Sequence, residues 1–97
     1  GPSFADPLEA WGEALTRRGD FDGAIGRFAA AEAFAPRWGR LHLMWGDALA
    51  GLRQDAATKA QWGAAAGMDL SAADRAALAV RLAARAPKLR PAPRAQS

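Results

Sequence analysis

Glu9 and Glu13 are a pair of residues in this chain whose types and spacing could do acid–base chemistry. Four positions apart on a helix, two carboxylates lie on the same face and could share a proton or bind a cation. The alternative is that both belong to the solvated polar face of an amphipathic helix, and the surrounding pattern favours it. We therefore assign a catalytic role to neither residue.

The other residue types needed for catalysis or metal binding are sparse. His42 is the only histidine and the chain has no cysteine, so no second soft ligand completes a metal site around it. Ser71 stands where a helix should begin, and Ser3 and Ser97 lie near the chain ends, so none of them resembles an activated nucleophile. The sequence predicts a protein that is not an enzyme and uses neither a metal nor a cofactor.

Length and composition predict one small soluble domain. The chain has 97 residues, and 51% of them are hydrophobic, mostly alanine. Such a core requires closely packed helices, with the four tryptophans and four phenylalanines supplying volume. No stretch is apolar for long enough to span a membrane. The compartment stays open, with the cytoplasm favoured.

The positive charge is concentrated at the C-terminal end. The chain has a net charge of +3, but no acidic residue follows Asp74. Residues 87–97 combine proline with cations and predict a flexible, extended tail, in which Lys88, Leu89 and Arg90 could contact a partner. Binding of this tail to nucleic acid or another anionic surface is a less favoured hypothesis, because the tail lacks aromatic residues.

Helix start and stop signals predict five helices. Four of them cover about residues 7–18, 38–51, 55–67 and 72–86, and another follows the Asp20 cap and ends at Pro36. Asp6 before Pro7, Asp20 and Ser71 each have the chemistry of an N-terminal cap. Residues 1–4 begin Gly-Pro-Ser, as a cleaved tag would leave, and we expect them to be a flexible start.

The chain also repeats itself after 34 residues. Leu8-x-x-Trp11-Gly12-x-x-Leu15 corresponds to His42-x-x-Trp45-Gly46-x-x-Leu49, and Phe28 corresponds to Trp62. A period of this length is what two short antiparallel helices and their turns require. The expected fold is all-α, a right-handed helical-hairpin repeat with five helices.

Over residues 5–86 the chain resembles the tetratricopeptide repeat (TPR) family. In that family small residues let the two helices of a unit touch, and an aromatic residue fills the gap to the next unit. Gly12, Ala24 and Ala31 match the small positions, and Phe28 matches the aromatic one. The resemblance implies a first unit at 5–38, a second at 39–71 and a capping helix at 72–86.

The second unit departs from the family pattern at three places. Thr58 replaces a small alanine, Leu70 replaces a proline, and Arg53-Gln54-Asp55 replaces the Gly-Asp-aromatic turn. Trp45-Gly46 and Trp62 still fit. The match of the first unit is therefore the closer of the two.

The resemblance implies a protein-interaction scaffold, in which the first helix of each unit lines a concave groove. We expect the groove to bind a protein or peptide segment that is basic and carries an apolar residue. Carried over by register, the partner-binding residues are Glu9, Glu13, Arg17, Arg40, Leu43, Met44, Asp47, Leu78 and Arg81.

The capping helix leaves a second function open. Ala76, Val80 and Ala83 form one apolar stripe, which we expect to pack inward, and Leu78 and Leu82 form another. If the second stripe is exposed, Leu78 and Leu82 could mediate self-association of a larger protein or a homo-oligomer.

Overall fold

The protein is all-α. The computed structural model describes the backbone of residues 2–85 and the side chains of residues 4–85. Within that range it has five helices and no strand: α1 (Pro2–Arg17), α2 (Phe21–Glu32), α3 (Gly39–Gly51), α4 (Asp55–Ala66) and α5 (Ala72–Arg85). The predicted tail residues Lys88, Leu89 and Arg90 lie outside the described residues.

Helix α1 begins earlier than predicted. It starts at Pro2, so Pro7 lies inside the helix and Asp6 is not its N-terminal cap. The missing N–H of Pro7 costs one hydrogen bond near the helix start. Ala5 is completely buried in the core, and the extra helical turn places it there. Of the predicted flexible start at residues 1–4, Pro2 to Phe4 lie within α1.

The predicted caps of two other helices are confirmed. The Asp20 carboxylate accepts a hydrogen bond from the Gly23 amide at 3.0 Å, and the Ser71 hydroxyl accepts one from the Asp74 amide at 3.0 Å. Each bond satisfies an amide that has no partner within its helix.

The turns inside the two helix pairs share an unusual backbone conformation. Gly19 has φ of +83° between α1 and α2, and Arg53 has φ of +61° between α3 and α4. Glycine adopts this region freely, whereas a residue with a Cβ adopts it at a cost of about 1 kcal/mol. Although Arg53 departs from the family's turn sequence, its backbone adopts the same left-handed conformation as Gly19.

In each pair of helices, an aromatic ring of one helix packs against a glycine of the other, which we call a ring-on-glycine contact. A Cβ at Gly12 would overlap the ring of Phe28, and a Cβ at Gly46 would overlap the ring of Trp62. The Trp62 indole also donates a hydrogen bond to the Leu43 carbonyl at 3.1 Å. Helix α1 accordingly packs most extensively on α2, and α3 on α4.

The core consists of two clusters that meet at Met44. The first lies among α1, α2 and α3 and contains Phe28 and Leu41. The second lies among α3, α4 and α5 and contains Leu43 and Leu78. Met44 packs against both, so α3 is the central helix of the fold.

Helix α5 is rotated relative to the prediction. Leu78 packs inward and is buried, whereas Val80 is 69% exposed and Ala76 and Ala83 also face outward. The predicted inward stripe of Ala76, Val80 and Ala83 is therefore wrong. The ion pairs that Asp74 and Arg81 make with α3 turn the other face of the helix toward the core.

The two glycine contacts provide a matched test of the packing. Gly12→Ala should destabilise the fold by about 1–3 kcal/mol, because the added methyl displaces the Phe28 ring. Gly26→Ala, in the interior of α2 with open space around it, should stabilise the fold by about 0.5–1 kcal/mol, since alanine restricts the unfolded chain. Urea unfolding measures both, and a stabilising Gly12→Ala would contradict the packing.

Candidate functional site

A network of charged side chains connects α1, α3 and α5. Arg40 of α3 binds Glu13 of α1 through two hydrogen bonds, from Nε at 3.0 Å and from Nη2 at 2.9 Å. Its remaining terminal nitrogen, Nη1, donates to Asp74 of α5 at 2.6 Å. The fork-like guanidinium is suited to such two-point binding of a carboxylate. The Arg40 side chain thereby connects α1 and α5, which lie on either side of α3.

A second arginine repeats this contact farther along α5. Arg81 binds Asp47 of α3 through Nε at 2.6 Å and Nη2 at 2.8 Å. The partners Arg40 and Asp74 are 34 residues apart, and so are Asp47 and Arg81. The hydrogen bonds to Glu13 and Asp47 raise the pKa of Arg40 and of Arg81, respectively. We call Glu9, Glu13, Arg40, Asp47, Asp74 and Arg81 the charged network.

Glu9 is buried within this network and differs from the other carboxyl groups. It is only 4% exposed, and its Oε2 lies 3.7 Å from Nε of Arg40, with no hydrogen-bond partner among the described residues. Burial, followed by the hydrogen bond and charge of Glu13, raises the pKa of Glu9 to about 9. Glu9 is therefore protonated and uncharged at neutral pH.

Glu13 is the ionised partner in this pair. Burial acts to raise its pKa, but the hydrogen bonds from Glu9 and Arg40 outweigh burial and leave the pKa below its ordinary value. One proton is thus held between the two carboxyl groups, mainly on Glu9. The interpretation of Glu9 and Glu13 as a solvated polar face is wrong, because Glu9 is in the interior and Glu13 is half-buried.

The structure separates the predicted groove residues into two sets. Leu43 and Leu78 belong to the core and are not open to a ligand in this state, which corrects their expected role as apolar contacts. Met44 is half-buried, and Arg17 is exposed at the C-terminal end of α1. The residues that can be reached from solvent are Glu13, Arg17, Arg40, Met44, Asp47 and Arg81.

His42 is a buried, hydrogen-bonded histidine. One ring nitrogen lies 2.9 Å from the Pro36 carbonyl oxygen, and the other lies 2.7 Å from the Gln61 side chain. Since the Pro36 carbonyl can only accept, Nε2 of His42 donates to it. The ring also stacks on Trp45. His42 thus fills the interior and fixes the segment before α3 against α4.

Sequence reasoning missed a group of exposed aromatic residues on α1 and in the turn after α2. The Phe4 and Phe34 rings lie 5.3 Å apart, and the Arg27 guanidinium lies 3.9 Å above the Trp11 ring. All three aromatic side chains are exposed. The signal was present in the 34-residue shift, which aligns Phe4 with Trp38 and Trp11 with Trp45.

The described part of the chain contains neither a metal-binding cluster nor a membrane-spanning helix. In residues 2–85 there is no group of three or more His, Cys, Asp or Glu side chains that could hold a metal ion. Of the five helices, none is both long and apolar enough to cross a membrane.

Comparisons with known proteins add no family assignment. No protein-family model, no curated protein and no solved structure matches the chain. The resemblance to TPR proteins therefore rests on the residues and contacts described above.

The protonated state of Glu9 predicts how stability depends on pH. The folded-state pKa of about 9 lies above the ordinary value of 4.5, so the folded chain binds the extra proton between these pH values. The free energy of unfolding should fall as pH rises through this window, by up to about 1.4 kcal/mol per pH unit. Glu9→Gln, which mimics the neutral carboxyl group, should flatten that decline and stabilise the protein most at alkaline pH.

Urea unfolding at several pH values measures this slope. Asp22→Asn, at an exposed position outside the charged network, is the control and should leave the slope unchanged. An unchanged slope in Glu9→Gln would contradict the protonation of Glu9.

Proposed function

We propose that this chain is a non-catalytic protein-interaction module of the TPR type, which binds a protein segment on the face formed by α1, α3 and α5. The observation that carries the proposal is the recurrence of the same spacing in unrelated kinds of contact. The two ring-on-glycine contacts lie 34 positions apart, and so do the two left-handed turn residues. In each of two ion pairs, the two partners are also 34 positions apart. Such agreement supports a repeated helical hairpin.

The charged network supports binding in preference to chemistry on this face. Its carboxylates and arginines are already paired with one another, so they form a fixed surface whose side chains need little further ordering when a partner binds. Besides the neutral Glu9, the network contains two arginines and three acidic residues. A carboxylate bound by arginine keeps lone pairs pointing elsewhere, so Glu13 and Asp47 can still accept a bond from a partner's cation.

Met44 provides the apolar contact next to these groups. It is half-buried between the two core clusters, and it is the one apolar residue of the predicted partner-binding set that is not fully buried. The segment that fits carries a cationic side chain near an apolar one, as the sequence predicts. Leu43 and Leu78 support the face from beneath.

A crosslinking experiment tests the position of this face. Because the chain has no cysteine, Arg17→Cys on the proposed face and Lys59→Cys on the exposed side of α4 can each carry one photoreactive group. In cells of the source organism, the label at position 17 should crosslink to a discrete protein and the label at position 59 should not. Equal crosslinking from both positions, or none from position 17, would refute the proposed binding face.

Self-association is the second candidate function. Of the two residues predicted for it, Leu78 is buried and only Leu82 remains partly exposed. Val80 lies on the outer surface of α5 and is more exposed than Leu78 or Leu82, so it replaces Leu78 as a candidate contact. Binding to nucleic acid has less support, because the ten acidic residues of the chain all fall within residues 2–85 and nearly balance the ten Lys and Arg residues there.

A further inference from the structure

The outer side of the first helix pair combines exposed aromatic rings with arginines. Phe4 is 61% exposed, Trp11 is 51% exposed and Phe34 is 44% exposed. The Phe4 and Phe34 rings lie together, and the Arg27 guanidinium lies 3.9 Å from the centre of the Trp11 ring. Large apolar side chains exposed in one group commonly mark a contact with another molecule.

The residues of this group that α1 contributes lie on one side of the helix. Phe4, Pro7 and Trp11 follow the spacing i, i+3, i+7, and Arg18 comes seven residues later. The Arg18 amide still bonds to the Ala14 carbonyl, so the helical geometry extends to Arg18. At 3.6 residues per turn, the four positions fall within about 60° around the helix axis. We call the following six residues the outer surface: Phe4, Pro7, Trp11, Arg18, Arg27 and Phe34.

The two charged residues of the outer surface are both cations. Among residues 4–85, no acidic side chain forms an ion pair with Arg18 or Arg27. Asp22 and Glu32 are each five positions from Arg27, so they point about 140° away from it around the axis of α2. Glu32 accordingly approaches His42 of α3, at 4.0 Å.

The acidic residues of α1 and of the turn after it also lie elsewhere. Asp6 is five positions from Trp11 and is therefore on the other side of α1. Glu9 and Glu13 belong to the charged network, and the Asp20 carboxylate caps α2. The outer surface is consequently apolar and positively charged.

The position of Arg27 favours binding of a carboxylate. A guanidinium held over an aromatic ring by a cation–π contact has little freedom left to lose when it binds an acidic group. Nε of Arg27 is buried and has no hydrogen-bond acceptor among the described residues. A buried donor without an acceptor is unfavourable, and an acidic group of a partner can provide one.

The corresponding side of α3 is covered, and a helix covers it. The α3 residues 34 positions after Phe4, Pro7 and Trp11 are Trp38, Leu41 and Trp45. Leu41 is completely buried and shares the first core cluster with Ala24 and Ala31 of α2. Trp38 and Trp45 pack against the same cluster. A helix is therefore the element that this side of a helix pair accommodates in the fold.

A second copy of this chain does not supply a suitable helix. Outside the outer surface, the large exposed apolar side chains of the described residues are Val80 and Leu82, both on α5. Helix α5 also exposes Arg75, and its one acidic residue, Asp74, is bound to Arg40. Docking α5 on the outer surface would bring cations together, which disfavours that pairing.

We infer that the outer surface binds an acidic amphipathic helix of another protein. The apolar side chains of that helix pack on the three aromatic rings, and its carboxylates bind Arg18 and Arg27. The outer surface is separate from the charged network and takes an acidic partner, whereas the network takes a basic one. The inference therefore goes beyond the proposed function.

Selection from a displayed library of random helical peptides tests the inference. The wild type should enrich peptides that carry Asp or Glu beside apolar residues at i, i+3 or i+4. These peptides should bind Arg18→Glu with Arg27→Glu at least about tenfold more weakly than the wild type. Lys59→Glu with Arg75→Glu makes the same charge change at exposed positions of α4 and α5, and this matched control should retain binding. Peptides that bind the charged network are basic and should not be weakened by the first variant.

A second variant keeps the test valid if the first one loses its helical circular dichroism spectrum. Trp11→Ser removes an exposed ring without changing any charge, and it should weaken the same acidic peptides. Failure to enrich acidic peptides, or equal binding of them to the wild type and to these variants, would overturn the inference. So would tighter binding of a labelled single-stranded oligonucleotide than of every acidic peptide, because the outer surface would then be a nucleic-acid contact.

Discussion

Arg40 joins three helices because one guanidinium has enough donors to bind a carboxylate on each side of α3. Its two bonds to Glu13 and one bond to Asp74 are all 3.0 Å or shorter. An isolated, exposed ion pair contributes little to stability. The Arg40 guanidinium is half-buried and is shared by the Glu13 and Asp74 carboxylates. Removing it would therefore leave these carboxylates without a counter-charge.

The position of α5 and the protonation of Glu9 both follow from this arrangement. The backbone of helix α5 approaches α3 and α4 at few places, and the bonds from Asp74 and Arg81 decide which of its sides faces inward. Val80 consequently points to solvent. Arg40 cannot balance the negative charges of both Glu9 and Glu13 if both acids are ionised. Glu9, the more buried of the two, therefore retains its proton.

The helices and two of the three caps could be predicted from the sequence, because each depends on residues close in the chain. The ring-on-glycine contacts were not predicted, since the resemblance implied that Phe28 fills the gap to the next unit and not that its ring packs on Gly12 of the same pair. The burial of Glu9 could not be predicted in this way. An i, i+4 pair of glutamates is normally solvated, and only the approach of Arg40 from another helix changes that. The orientation of α5 could not be predicted for the same reason. The hydrophobic pattern favoured Val80 as the residue that faces the core, whereas the ion pairs turn Leu78 toward the core. The extra turn of α1 was missed because Pro7 after Asp6 has the pattern of a helix start.

Native-state hydrogen exchange on Arg40→Gln tests the central role of this residue most directly. If Arg40 holds α5 in place, the variant should lose protection of the α5 amides by at least about tenfold, or about 1.4 kcal/mol, more than it loses protection in α2 and α4. Arg85→Gln, whose partner Asp55 is exposed, should leave the α5 amides nearly as protected as in the wild type. An equal loss in every helix, or none in α5, would show that α5 is held by its apolar contacts and not by Arg40.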